Sequence, residues 1–177
     1  MAAFVTRTQD SALRRGSRKA ALGQWAIPDS APLTGRTTVG TSPAAVKSDG
    51  ADLWVADVNS ADVKRVRASD GAVLGTWTGA VGAVGVLVAR GRVYVTGQTS
   101  PGRLYMIDPT TTPGAVVTLT STLGNQPTDV TTDGHFIWTA NLGGSVSGVD
   151  PDTGGNFSRF AGFSAPGGSS LMASTFG

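Results

Sequence analysis

The sequence predicts an all-β propeller with four blades of four antiparallel strands, one blade being completed by joining the N- and C-terminal strands. Three observations carry this expectation. An aromatic strand recurs as Leu53-Trp54-Val55-Ala56-Asp57, Val93-Tyr94-Val95-Thr96-Gly97 and Ile137-Trp138-Thr139-Ala140-Asn141. Trp54 to Tyr94 is 40 positions and Tyr94 to Trp138 is 44, within the period of roughly 40–45 residues of four-stranded blades. Short alternating strands are bounded by Asp-Gly and Pro turns, and a sandwich has no reason to repeat its whole hairpin pair. Finally, all 12 acidic residues are Asp and none is Glu; Glu suits helices and Asp suits turns, so a helix-poor chain is expected.

Each full repeat reads in the same order. A Pro-led segment comes first (Pro43 to Val46, Pro127 to Val130), then a turn at Asp49-Gly50, Gly91-Arg92 or Asp133-Gly134. After the aromatic strand and a Gly/Asn/Ser loop, a third strand is expected at Val63 to Arg67, Leu104 to Asp108 and Val146 to Asp150. A second turn leads to a last strand at Val73 to Thr78, Ala115 to Leu119 and Phe157 to Phe160. The repeats therefore span about 43–79, 80–120 and 125–163, within a single domain of 1–177. A fourth copy is split. Ala20-Ala21-Leu22-Gly23-Gln24-Trp25 matches Ala72-Val73-Leu74-Gly75-Thr76-Trp77, and Phe4 aligns with Trp54, so 3–27 supplies three outer strands. Residues 165–177 supply the leading one. The loop 28–42 holds Pro28, Pro32, Gly35 and Gly40, with room for an edge strand at Arg36 to Val39.

These residues resemble the NHL, YVTN and virginiamycin B lyase-like propellers. The shared pattern is Pro-x-x-Val, an Asp-Gly turn, an aromatic-Val-Thr/Ala-Asn/Asp strand, then Gly-x-Val-x-x-Val/Ile-Asp-Pro-x-Thr-Gly. Trp138 to Asn141 with Val146 to Gly154 is the best match, while Gly97 stands where the pattern has Asn. The resemblance implies that the Pro-led strand lies nearest the axis, where Ala44, Ala45, Gly82, Ala83, Gly85, Gly167 and Gly168 would permit tight packing. If the chain is whole, its open edges allow one chain per ring or a strand-exchanged homo-oligomer, of which the small residues favour the first; the alternative is a crop of a longer propeller. Lyase-like relatives use a His and a Glu with a divalent metal. His135 is the only histidine and Glu is absent, so that acid/base pair cannot be assembled. His135 reads as a turn residue beside Phe136.

No catalytic, cofactor or metal site is therefore expected. Asp57, Asn59, Asp129 and Asn141 lie near strand ends and would have to converge to hold Ca²⁺, which takes six to eight oxygens; turn formation is the simpler reading. Arg14, Arg15, Arg18 and Lys19, with Arg7, form a basic patch, widened by Lys64, Arg65 and Arg67 of the next repeat, which reads as a solvated edge or a contact with an acidic protein partner. Trp25 and Trp77, on outer strands, are expected to be partly exposed and available to a partner or a surface glycan. Charge is nearly balanced at +2, which argues against a nucleic-acid partner. No apolar run approaches the ~20 residues of a membrane helix, and Met1 to Val5 before Arg7 is too short for a signal-peptide core.

The expected function is a non-catalytic interaction or structural module, in a virion or cytoplasm rather than secreted. Three Lys against eleven Arg and no Cys suggest a GC-rich source and fit a bacteriophage tail or fibre component. The alternatives are a metal-dependent lyase and a glycan-binding propeller.

Overall fold

The computed structural model describes residues 36–158, which form twelve strands and no helix. The first sheet is β1 (Pro43–Ser48), β2 (Asp52–Asp57), β3 (Asp62–Arg67) and β4 (Val73–Thr78). The second is β5 (Ala83–Ala89), β6 (Arg92–Gly97), β7 (Gly102–Ile107) and β8 (Val117–Leu123). The third is β9 (Pro127–Thr132), β10 (Ile137–Asn141), β11 (Ser145–Val149) and β12 (Asn156–Ser158). Each sheet is antiparallel and pairs its strands in chain order. The first strands touch from sheet to sheet, β1 with β5 and β5 with β9. The sheets thus stand face to face about a common inner line, in a propeller-like arrangement.

Side-chain alternation explains how one strand serves two interfaces, because successive residues point to opposite faces. On β6, Val93 and Val95 turn toward the first sheet, where they join Trp54, Ala56 and Trp77. Tyr94 turns the other way and joins Val130, Ile137 and Val149 of the third sheet. Each such fully buried side chain is worth about 1.5–3 kcal/mol, so the two cores between sheets are the main source of cohesion. Trp54 and Trp77 meet with ring centroids 4.9 Å apart.

The sequence period reappears as a backbone bond. Val58 N–H donates to Ser42 O at 3.0 Å, Gln98 N–H to Gly82 O at 2.8 Å, and Leu142 N–H to Gln126 O at 3.0 Å. Each bond ties the loop after an aromatic strand to the entry of its own sheet, and both partners advance by 40 and then 44 positions.

Three local expectations need correction. The last strand of the second sheet runs from Val117 to Leu123 instead of Ala115 to Leu119. The preceding segment pairs with the first sheet instead: Thr78 N–H donates to Gly114 O at 2.8 Å and Val116 N–H to Thr78 O at 2.9 Å. The tight turn of that sheet is Arg90-Gly91, both at positive φ (54° and 70°), as two-residue hairpin turns require, not Gly91-Arg92. Arg36 to Val39 forms no strand; Thr37 Oγ1 donates to Gly71 O at 2.8 Å and Gly40 turns at φ 134° beside the Asp57 carboxylate. Trp77, expected to be partly exposed, is 4% exposed, because the neighbouring sheet closes over its ring. The expected pairing of 3–27 with 165–177 falls outside the described residues.

Small residues do sit where the sheets crowd. A Cβ on Gly85 would lie 2.6 Å from Thr96 Oγ1 and 3.2 Å from the Thr128 carbonyl of the third sheet. Gly85→Val should therefore destabilise the protein by about 1–3 kcal/mol through overpacking. The expected readout is a lower urea midpoint with unchanged slope, and an unaltered midpoint would show that the second and third sheets are not held this closely.

Candidate interaction surface

Antiparallel order places the turns β1–β2, β3–β4 and their equivalents at one rim, and the β2–β3 loops and sheet-to-sheet connections at the other. The first rim is charged, and its carboxylates are engaged with backbone. Asp49 Oδ1 accepts from the N–H groups of Ala51 (2.9 Å) and Asp52 (2.7 Å), while its Oδ2 accepts from the Trp54 indole at 2.8 Å. Asp133 repeats the motif, accepting from His135 and Phe136 N–H, both at 2.8 Å, and from the Trp138 indole at 2.9 Å. The common signature is Asp-Gly-x-x-x-Trp. In the second sheet Ala89 and Tyr94 replace its two ends, and Arg90 reaches across to Gly134 O at 3.5 Å and Asp152 at 3.2 Å.

Donated hydrogen bonds stabilise a carboxylate against protonation. The Phe136 N–H, the Trp138 indole and the His135 N–H together hold Asp133 down at about 2, against an ordinary 3.8. Asp49 is pulled two ways. Burial pushes it upward, but the bonds from Asp52, Trp54 and Ala51, with Arg65 nearby, leave it lowered.

The structure also decides the fate of the residues singled out from sequence. Lys64 is bonded to Asp62, Arg65 to Asp52 at 2.8 Å and Arg67 to Asp70 at 2.8 Å. These three cations are each paired, so they do not extend a basic patch; the Arg65 guanidinium also lies 5.5 Å from the Trp54 ring centroid. Arg14, Arg15, Arg18, Lys19 and Trp25 lie outside the described residues. Trp77 is enclosed between sheets and offers no ring face to a glycan or partner. Asp57 is fully buried and accepts from Ser42 N–H (2.9 Å) and Ser60 N–H (2.7 Å). Asn59 donates to Ser42 Oγ, Asn141 to Ser145 and Ser147, and Asp129 accepts from Val130 N–H. These groups close local loops in different sheets. Among the described residues no three His, Cys, Asp or Glu side chains are grouped to hold a metal. His135 is an exposed turn residue, its ring edge-on to Phe136 at 4.5 Å.

The opposite rim was not singled out from sequence. Its loops 79–82, 98–101, 124–126 and 142–144 contain no charged residue. Backbone bonds lock them to one another: Ala80 N–H to Ala61 O and Gln126 N–H to Thr99 O at 2.9 Å, Gly143 N–H to Asn125 O at 3.0 Å. Tyr105 adds a link where Gly97 has no side chain, its hydroxyl donating to Val81 O at 3.2 Å. Along this rim Val81 is 47% and Leu142 65% exposed, with Gln98, Ser100, Asn125 and Gln126 exposed between them. The absence of charge was visible in the sequence; that these loops share a rim required the strand order.

A second feature lies on the third sheet, on the face turned away from the second. Asp129, Thr131, Trp138, Ala140 and Val146 line a groove of about 230 Å³. Trp138 occupies the position that Trp54 and Tyr94 hold in the other sheets.

The depressed Asp133 value carries a pH dependence. A carboxyl whose folded pKa lies below its unfolded one contributes stability above the unfolded value, and that contribution is lost as pH falls through the folded one. Between about pH 4 and 2 the protein should lose stability, and Asp133→Asn should flatten that part of the acid-unfolding curve. An identical curve for the variant would show that the turn bonds do not persist in solution.

Among solved structures, the chain is similar to the hydrazine synthase of Kuenenia stuttgartiensis, with TM-score 0.55 and 18% identity over 68% of this chain and 36% of that one. It is also similar to BamB from Moraxella catarrhalis (0.46, 19%, 68% and 41%) and to the PQQ-bound aldose sugar dehydrogenase of Streptomyces coelicolor (0.47, 18%, 66% and 47%). The chain thus spans less than half the length of each, and at such identities the likeness to hydrazine synthase concerns fold alone, a propeller-like one. A comparison with curated proteins finds no match. The family described as "Repeat of unknown function (DUF6923)" matches residues 44–177, which takes in all three described sheets, and the chain belongs to that family.

Proposed function

We propose that this chain is a non-catalytic propeller module that offers its uncharged rim to a protein partner in a larger assembly. The observation that supports this most is the continuous run of charge-free, hydrogen-bonded loops from Val81 to Leu142. Depletion of charge at the centre of a patch is a compositional mark of protein interfaces. A backbone already fixed by its own bonds gives up little conformational freedom on docking. The charged rim, whose carboxylates hold turns, remains solvated. In this reading a single chain closes a ring of four blades, the fourth formed by residues 3–27 with 165–177. The assembly we have in view is a bacteriophage tail or fibre, a setting that rests on the Arg-rich, Lys-poor, Cys-free composition.

Site-specific photocrosslinking tests the rim. A photoreactive residue at Leu142 or Val81 should give one defined protein adduct in the native assembly, while the same residue at Asp70, on the charged rim, should give none. Adducts at both rims, or at neither, would refute the docking surface. Absence of the chain from purified particles would remove the virion setting and leave the docking surface to stand on its own test.

A further inference from the structure

We infer that Arg103, which borders the charge-free loops, is the charged anchor of the docking surface, and that the docking protein meets it with an Asp or Glu carboxylate set beside apolar side chains. The inference rests on the docking surface proposed above and names the partner's chemistry there.

The repeat shows what the Arg103 position ordinarily does. Where the second strand of a sheet leaves for its loop and the third returns, the facing pair is Asp57 with Asp62 in the first sheet. Its counterparts are Gly97 with Arg103 in the second sheet and Asn141 with Ser145 in the third. In the first sheet the pair is committed to the fold: Asp57 accepts from Ser42 and Ser60 N–H, and Asp62 holds Lys64. In the third, Asn141 Nδ2 donates to Ser145 Oγ at 3.1 Å. The second sheet gives that task to a different side chain. A Cβ on Gly97 would lie 2.7 Å from the Tyr105 ring and 2.7 Å from Val81 O, because Tyr105 leans into that space to bond Val81. Arg103 is left with no loop to close, and it is exposed.

Its charge is uncommitted as well. Lys64, Arg65, Arg67, Arg90 and Arg92 each lie against an Asp carboxylate. Among the described residues Arg103 has no ion pair and no hydrogen bond. Arg36 and Lys47 also lack an ion pair, but Thr37 and Ser48 beside them bond the turns of the charged rim. Alternation puts Arg103 on the same face as Tyr105, which packs toward the first sheet, and one pleat nearer the charge-free loops. Exposed Val81 lies on that side, so an apolar side chain and an unspent guanidinium adjoin. Arg is enriched at interfaces and among their hot spots, and its planar fork can grip a carboxylate through two N–H donors. A lone cation among neutral loops does not suit a nucleic acid, which is held through several.

A photoreactive residue at Leu142, in the third sheet, reads docking while Arg103 is varied. Arg103→Glu should cut the protein adduct by about tenfold or more, because like charges then meet in the contact. Arg103→Lys should retain most of it. Both variants should keep the parent urea midpoint; a lower midpoint for Arg103→Glu would make the residue structural and overturn the anchor. In the Arg103→Lys protein, a carbodiimide joins a contacting amine and carboxylate as an amide, the reagent taking up the water lost. It should link position 103 to an Asp or Glu of the docking protein, with Lys64 and Asp62 as the coupling control within the chain. A link to this chain's own Asp or to a second copy, or no link where the control couples, overturns the carboxylate contact. An adduct undiminished by Arg103→Glu removes the anchor and leaves the docking surface. No adduct in the parent removes the docking surface itself.

Discussion

The constraint on which the rest depends is the close face-to-face stacking of twisted four-stranded sheets about a shared inner line. Sheets cannot approach there unless their inner strands are small, and Gly85, with the Thr128 carbonyl of the next sheet almost upon it, shows how little room exists. Farther out the space widens and must be filled, and aromatic residues fill it. Trp54, Trp77, Tyr94 and Tyr105 are all buried between sheets. Small inside and large outside is therefore a wedge geometry, set by sheet twist and radial spacing.

The exclusive use of Asp as the acidic residue acquires a physical meaning in this setting. A short carboxylate one methylene from the backbone can accept two N–H groups of its own turn, as Asp49 and Asp133 do. With its second oxygen each also anchors an indole of the following strand. The turn, the strand register and the aromatic rotamer are thus fixed by one side chain. The longer Glu side chain has more rotamers to lose and no matching reach to its own i+2 amide. Carboxylates committed in this way are structural, which is the physical reason the charged rim looks busy in sequence while its groups hold the fold.

The two rims differ in what they leave available. One carries Asp and Arg pairs whose bonds are internal; the loops of the other carry no charge, are locked by main-chain bonds and are dotted with Val81 and Leu142. A protein platform needs a rigid surface that can shed water cheaply, and uncharged loops meet that need better than ion pairs do.

The sequence by itself determined the period, the strand order, the turn positions in the first and third sheets and the crowding of small residues at the inner strands. These are local properties: alternation, Asp-Gly turns and spacing depend on neighbours a few positions away. It misplaced the last strand of the second sheet, because Gly114 to Val116 first pairs with Thr78 of the preceding sheet. It also put Trp77 at the surface and left Lys64, Arg65 and Arg67 as a free patch. Only the tertiary structure decided those points, and only it gathered the neutral loops into one rim. Burial of a ring, neutralisation of a cation and the sharing of a rim by distant loops are set by what another sheet brings within reach, and that information is absent from any single stretch of chain.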